Sequence, residues 1–193
     1  MAAILDAASE VLGEVGYERL TTIAVAARAG MSPGSLYQFY RNKEAIVEAL
    51  ASRFVIVFSE ALDRAFPAEP SGLSNAETVG RMVDALVEVN LAHPALRAVF
   101  RDLDPPPDLA RALQPLRAGI LGRAQAMTAA RAPSLPEPET WRIAAVGSQM
   151  FQALSRLIFD AGPEDRALMT DEVKRAITAY MDRVQADSSP ARI

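Results

Sequence analysis

The chain has 193 residues, half of them hydrophobic and 23% charged, which allows one compact domain or two small ones and excludes a disordered polymer. The absence of cysteine excludes disulfides, thiolate metal sites and cysteine nucleophiles, and the single histidine, His93, cannot supply a histidine cluster. Acidic side chains outnumber basic ones by 24 to 20, which argues against coating nucleic acid through bulk positive charge but leaves a local contact surface open.

The opening residues MAAILDAASEVL carry Asp6 and Glu10 and lack the basic start and cleavage site of a secretory signal, so a cytoplasmic location is expected. The longest charge-free run, residues 143–155, has 13 residues, short of the roughly 18 apolar residues a membrane span needs. No membrane association is expected. Only Pro33 of the 13 prolines precedes residue 67, and the others punctuate the second half. No period-2 run bounded by turn pairs stands out, so the fold class is all-α. Helices are expected near residues 2–15, 22–29, 33–40, 43–66, 76–92, 95–102, 107–131, 138–160 and 164–186. Short helices joined by short connections come first and long ones follow, which divides the chain into a module over residues 1–45 and a helical bundle over residues 46–193.

The segment TTIAVAARAGMSPGSLYQFYRNK, residues 21–43, has the grammar of a helix-turn-helix. Gly30 can take the left-handed conformation that closes a helix, Ser32 can cap the next, and Pro33 suits a first helical position. Val25, Ala26, Ala29 and Met31 supply a small, apolar surface for a close crossing. On the second helix Leu36, Phe39 and Tyr40 form one apolar arc, while Gly34, Tyr37, Gln38 and Arg41 follow the spacing of the opposite stripe. A glycine permitting close approach, a phenol, an amide able to pair with adenine and a guanidinium suit a helix reading the major groove. The alternative is a merely solvated face, which would normally favour Glu and Lys.

Lys43 sits at the first position of the next helix, after the expected cap Asn42, where the helix dipole disfavours a cation. A DNA phosphate would compensate, and so would Glu44 and water. Thr21 and Thr22 can cap the first helix of the pair or offer hydroxyls to a phosphate, with Arg28 as a second anchor. Residues 1–53 hold five basic and six acidic side chains, so binding depends on placement of charge and should be salt-sensitive.

The stretch ILDAASEVLGEVGYERLTTIAVAARAGMSPGSLYQFYRNKEAIVEAL resembles the DNA-binding region of the tetracycline-repressor (TetR) family of bacterial regulators. The resemblance rests on Ile4-Leu5-Asp6-Ala7-Ala8, Gly16-Tyr17, Thr21-Thr22, Ala29-Gly30, Ser32, Gly34-Ser35-Leu36-Tyr37 and Asn42-Lys43-Glu44, and it covers about the first fifty residues. It implies that Thr22, Arg28, Ser32, Tyr37 and Lys43 hold backbone phosphates. It also implies that Pro33, Gly34, Ser35, Tyr37 and Gln38 lie against base edges. Phe39 stands where the family often has His or Tyr, and Tyr40, where Phe is usual, is expected to return the lost hydroxyl to the DNA side. No basic arm precedes the first helix, and the expectation is that the arm is absent or lies outside this sequence.

The same resemblance makes residues 46–193 an effector-binding and dimerisation domain and makes repression the usual mode. The helix over residues 43–66 would be the coupling rod between effector and DNA. A largely apolar effector would be lined by Phe58, Leu62, Met82, Leu86, Phe100, Ile120, Met127, Trp141 and Met150, with Val89, Leu103, Leu113 and Leu116 as further candidates; ordinary core packing is the competing reading for each. The helices over residues 138–160 and 164–186, with Phe151, Leu154, Ile158, Val173, Ile177, Tyr180, Met181 and Val184, would pair with their symmetry mates in a homodimer, or else form an intramolecular bundle. The expected function is a dimeric regulator that binds a palindromic double-stranded DNA operator and is released by a small molecule. The alternative is a helical small-molecule or protein-binding module that has lost operator binding. No cofactor is implied, and no convergent nucleophile and base, phosphate-cradling loop or metal constellation points to an enzyme.

Overall fold

The computed structural model describes residues 2–66, 72–100 and 105–188, and every regular element among them is a helix. In chain order these are α1 (Ala2–Arg19), α2 (Thr22–Arg28), α3 (Pro33–Tyr37), α4 (Lys43–Ala65), α5 (Asn75–Ala92), α6 (Pro94–Phe100), α7 (Pro107–Ala112), α8 (Gln114–Arg131), α9 (Glu137–Asp160) and α10 (Arg166–Ser188). The all-α expectation holds. None of the described helices is long and apolar enough to cross a membrane.

Two compact units emerge, Met1–Phe58 with Glu88–Gly119, and Ser59–Val87 with Ile120–Ile193. This partition departs from a boundary after residue 45. The reason is physical: α4 continues unbroken past that point, and α6 packs along α1, which draws a later stretch of chain into the first unit.

In the first unit, Ile4, Ala7, Ala8, Val11 and Leu12 recur at helical spacing and are all buried, which makes them the inner face of α1. Gly16, with φ 77° and ψ 171°, interrupts the regular helix where the sequence predicts its end. Gly13 allows α6 to approach closely, since a β-carbon there would meet Pro94 Cβ at 3.1 Å and the Ala95 amide nitrogen at 3.3 Å. The helix expected over residues 107–131 is in fact two. Pro115 has no N–H to give the carbonyl four residues earlier, so α7 closes at Leu113 and α8 starts afresh with proline in its first turn.

In the second unit, α5 opens with a reciprocal cap. Glu77 N–H donates to Ser74 Oγ at 3.2 Å, and the Glu77 carboxylate accepts from Ser74 N–H at 2.8 Å and from its hydroxyl at 2.7 Å. Val79, Val83 and Val87 of α5 meet Ile158 of α9 and Val173 and Ile177 of α10 in a buried cluster, with Met150, Phe151, Leu154, Phe159 and Met181 packed against it. Several side chains expected to face a symmetry mate therefore pack within the monomer. Each fully buried Ile or Val of this kind contributes about 1.5–3 kcal/mol.

Candidate nucleic-acid interface

Local chemistry sets the geometry of α2, the turn and α3. Thr21 is the cap of α2, its hydroxyl accepting from Ala24 N–H at 3.1 Å, so the Thr22 side chain, inside the helix, is not used by the cap. Gly30, at φ 67°, reverses the chain, and Met31 N–H donates to Ala26 C=O at 3.0 Å. Ser32 then caps α3, accepting from Ser35 N–H at 3.1 Å, with Pro33 next. Val25, Ala26 and Leu36 are fully buried and hold the two helices together.

On the opposite side, Pro33, Gly34, Tyr37 and Gln38 are exposed and Ser35 is partly so. The Tyr37 hydroxyl lies 3.0 Å from that of Thr22, so α2 and α3 present one joined polar edge. A β-carbon on Gly34 would meet Ser32 Oγ at 3.8 Å, an ordinary contact distance, so the fold leaves room there.

Three expectations are corrected. The helix over residues 33–40 closes at Tyr37 with Gln38 as its cap, so Arg41 lies beyond the stripe rather than on it. Phe39, expected in the packed arc, is half exposed, because the chain has already left helical geometry. Tyr40, expected to offer its hydroxyl to DNA, is 6% exposed with that hydroxyl enclosed, and burial raises its pKa. It belongs to the core of the module.

Two basic residues carry partners that the sequence does not announce. Arg28 donates to the Glu14 carboxylate at 2.7 and 3.0 Å and to Glu10 at 2.9 Å, both on α1. The hydrogen bond to Arg28 lowers the pKa of Glu14, and the two carboxylates raise that of Arg28. Lys43 follows Asn42, which caps α4 by accepting from Ala45 N–H at 2.9 Å. Its ammonium stands 4.2 Å from the centroid of the Tyr17 ring and donates to the Tyr17 carbonyl at 3.4 Å. The Tyr17 hydroxyl in turn donates to Asp108 at 2.5 Å. Ile23, 64% exposed beside Thr22, is a further surface residue of the module that period and composition did not single out.

The residues expected around an effector fall in different environments. Phe58, Leu62 and Leu86 are buried, and Met82, Ile120, Met127 and Met150 are partly buried. Met150 packs on the α5–α9–α10 cluster, and Leu113 and Leu116 are core residues. Trp141 is 49% exposed on α9 and so is not an interior lining residue; it precedes the inward-facing Ile143 and Ala144 in the helical rotation. The side chain of Phe100, and Leu103, lie outside the described residues. No cluster of three or more metal-ligating side chains occurs among the described residues.

Fold and module together define a helical protein of the helix-turn-helix class. Residues 4–50 match the family described as bacterial regulatory proteins, tetR family, and residues 76–181 match the tetracyclin repressor-like C-terminal domain. The chain belongs to the TetR family. It is 29% identical over 99 residues to the HTH-type transcriptional regulator YhgD of Bacillus subtilis, a match that covers 51% of this chain and spans half the length of that relative. A TetR-family transcriptional regulator from Streptomyces coelicolor has the same fold at 25% identity, with a TM-score of 0.73 over 95% of this chain and 98% of that one. The regulator FadR from Bacillus subtilis, solved in complex with stearoyl-CoA, shares the fold at 16% identity, with a TM-score of 0.67 over 93% and 98% of the two chains.

Proposed function

We propose that this protein is a cytoplasmic, homodimeric repressor that binds a palindromic DNA operator through α2, α3 and the start of α4, and is released by a small, largely apolar effector. One observation carries the DNA reading: Gly34, Tyr37 and Gln38 stand exposed on the face of α3 opposite the buried Leu36, next to Thr22 and within a capped, tightly turned module. Thr22, Arg28, Ser32, Tyr37 and Lys43 are the phosphate contacts in this reading, and Pro33, Gly34, Ser35, Tyr37 and Gln38 the groups facing base edges. Tyr40 is left out because it is buried.

Residues 46–193 supply effector binding and dimerisation. Exposed Trp141, Val146 and Leu157 on α9, with Leu168 and Met169 on α10, support a two-fold interface through these helices. Such a dimer would present its reading helices to half-sites about 34–36 Å apart, or at a somewhat different spacing if the helices splay. An apolar effector is supported by the partly buried methionines Met82, Met127 and Met150 of this chain and by the acyl-CoA in the FadR structure of the same fold. Repression requires the effector to favour the DNA-incompetent arrangement, and a coupling of about 1–3 kcal/mol changes operator affinity roughly 5- to 150-fold. The protein works by binding, with no bond chemistry.

Selection of binding sites from random duplexes tests the reading, followed by titration of the recovered duplex with Tyr37→Ala and Lys43→Ala at several salt concentrations. Both variants should bind more weakly, the tyrosine change selectively across sequences. The lysine change should act uniformly and reduce the salt slope by about one. Failure to recover any duplex, or full binding by both variants, would leave a helical binding module without operator recognition.

A further inference from the structure

The first unit contains a chain of contacts that the DNA-reading face alone does not require. The Tyr17 phenol donates to Asp108 on α7 at 2.5 Å, the Lys43 ammonium stands 4.2 Å from the same ring, and it donates to the Tyr17 carbonyl at 3.4 Å. Tyr17 is separated from Asp108 by 91 residues in sequence, so no local rule creates this pairing.

We propose that Tyr17 and Asp108 are positioning residues for Lys43, holding its ammonium at the start of α4 in the place from which it meets a DNA phosphate. The inference rests on the reading of Lys43 as a phosphate contact. A lysine side chain with four rotatable bonds loses rotamer freedom when it binds, and a lysine already stacked on a ring loses less. The phenol donates its hydrogen to a carboxylate, which increases electron density on the ring and strengthens its attraction for the ammonium. Lys43 keeps N–H groups beyond the one given to the Tyr17 carbonyl, and these remain for a phosphate oxygen. Burial first, and then the hydrogen bond to Asp108 and its charge, raise the pKa of the phenol, so it remains the donor in this pair.

The test is a double-mutant cycle on the full chain, using a duplex recovered by selection from a random-sequence pool. Tyr17→Phe keeps the ring and removes the hydroxyl, and is expected to weaken binding about three- to tenfold. In a Lys43→Ala background the same change is expected to alter affinity by less than about twofold. Asp108→Ala and Asp108→Asn both remove a negative charge that also faces Lys43, so the comparison between them isolates the phenol's hydrogen bond. Asp108→Asn, whose amide oxygen still accepts from the phenol, should bind about three- to tenfold more tightly than Asp108→Ala, and equal binding by the two overturns the positioning role. Thermal unfolding of each variant separates this pattern from general loss of structure, which would weaken binding equally in both backgrounds. An equal loss with and without Lys43, or no loss from Tyr17→Phe when Lys43→Ala does weaken binding, overturns the positioning role alone. Unchanged binding by Lys43→Ala overturns the phosphate reading of that lysine and the positioning role with it.

Discussion

The hydroxyls of Thr22 and Tyr37 lie 3.0 Å apart, one donating to the other, and they tie the first turn of α2 to the last residue of α3. Either side chain could in principle reach a phosphate alone, but the pair fixes the other's rotamer and so behaves as one unit. Tyr37→Phe and Thr22→Ala are each expected to weaken operator binding, and the double variant to lose less than the product of the two losses. Because both groups are at least partly exposed, unfolding midpoints in urea should move little. A multiplicative loss in binding titrations would show that the two hydroxyls act separately.

Arg28 provides a second prediction, because α1 already supplies it with two carboxylates, Glu14 and Glu10. An arginine held in this way has its charge largely balanced before DNA arrives. Glu14→Gln removes the stronger partner, so operator affinity should rise and the dependence of log affinity on log salt should steepen by about one. An unchanged slope would remove Arg28 from the phosphate contacts.

How much of this was legible in the sequence follows from the range of the interactions. The turn was readable because Gly30, Ser32 and Pro33 act on their nearest neighbours, and so was the apolar surface of α2 around Val25 and Ala26. Spacing placed Tyr40 in the apolar arc with Leu36, and it is buried there; what failed was the expectation, taken from the resemblance, that its hydroxyl turns to DNA. Phe39, whose side chain the same spacing put inward, is exposed because α3 ends at Tyr37. The division of residues 107–131 into two helices was available in principle from Pro115. Contacts such as Tyr17 with Asp108, or α6 with α1, depend on tertiary packing and leave no local mark.

Asn75 illustrates the same point in the second unit and yields a stability prediction. It is 8% exposed, donates to Asp182 and Gln185 of α10 at 2.8 Å each, and accepts from Arg131 of α8 at 2.9 Å. Arg131 also donates to the Leu73 carbonyl at 2.9 Å, and its burial lowers its pKa. Asn75→Ala strips α8 and α10 of their shared partner on α5; Asp182 and Gln185 are exposed and can turn to water, so the expected cost is about 1 kcal/mol. The urea midpoint should fall with an unchanged m value. A loss below about 0.5 kcal/mol would mean that solvent replaces the amide at little cost.

His93 sets a pH dependence whose sign follows from its surroundings. Its ring meets Phe54 edge-on with centroids 5.6 Å apart, and burial, then the charge of Arg53, lowers its pKa from 6.5. Between that lowered value and 6.5 the unfolded chain binds more protons than the folded one, so stability rises with pH across the interval. The contribution is complete above about pH 6.5, declines as the pH falls below it, and levels off under the folded value. His93→Gln should lower the melting temperature at every pH through the lost ring contact, and should abolish this part of the slope. A slope that survives the substitution would assign it to other groups.

Gly34 and Gly30 sit four residues apart yet should respond oppositely to the same substitution. Gly30 has φ 67°, a region that costs an L-residue about 1–2 kcal/mol, so Gly30→Ala should destabilise the protein by that amount. Gly34 lies in α3 with ordinary helical backbone, and a methyl there would meet Ser32 Oγ at an ordinary contact distance of 3.8 Å. Gly34→Ala should therefore leave stability unchanged or raise it by about 0.4–1 kcal/mol, since alanine reduces the freedom of the unfolded chain. The methyl would project from the face proposed to meet base edges, and a close backbone approach to the groove tolerates no added carbon. Operator binding should consequently fall while the unfolding midpoint holds or rises. A stable Gly34→Ala variant that binds the selected duplex as well as its parent would mean that the backbone of α3 does not approach the bases at this position.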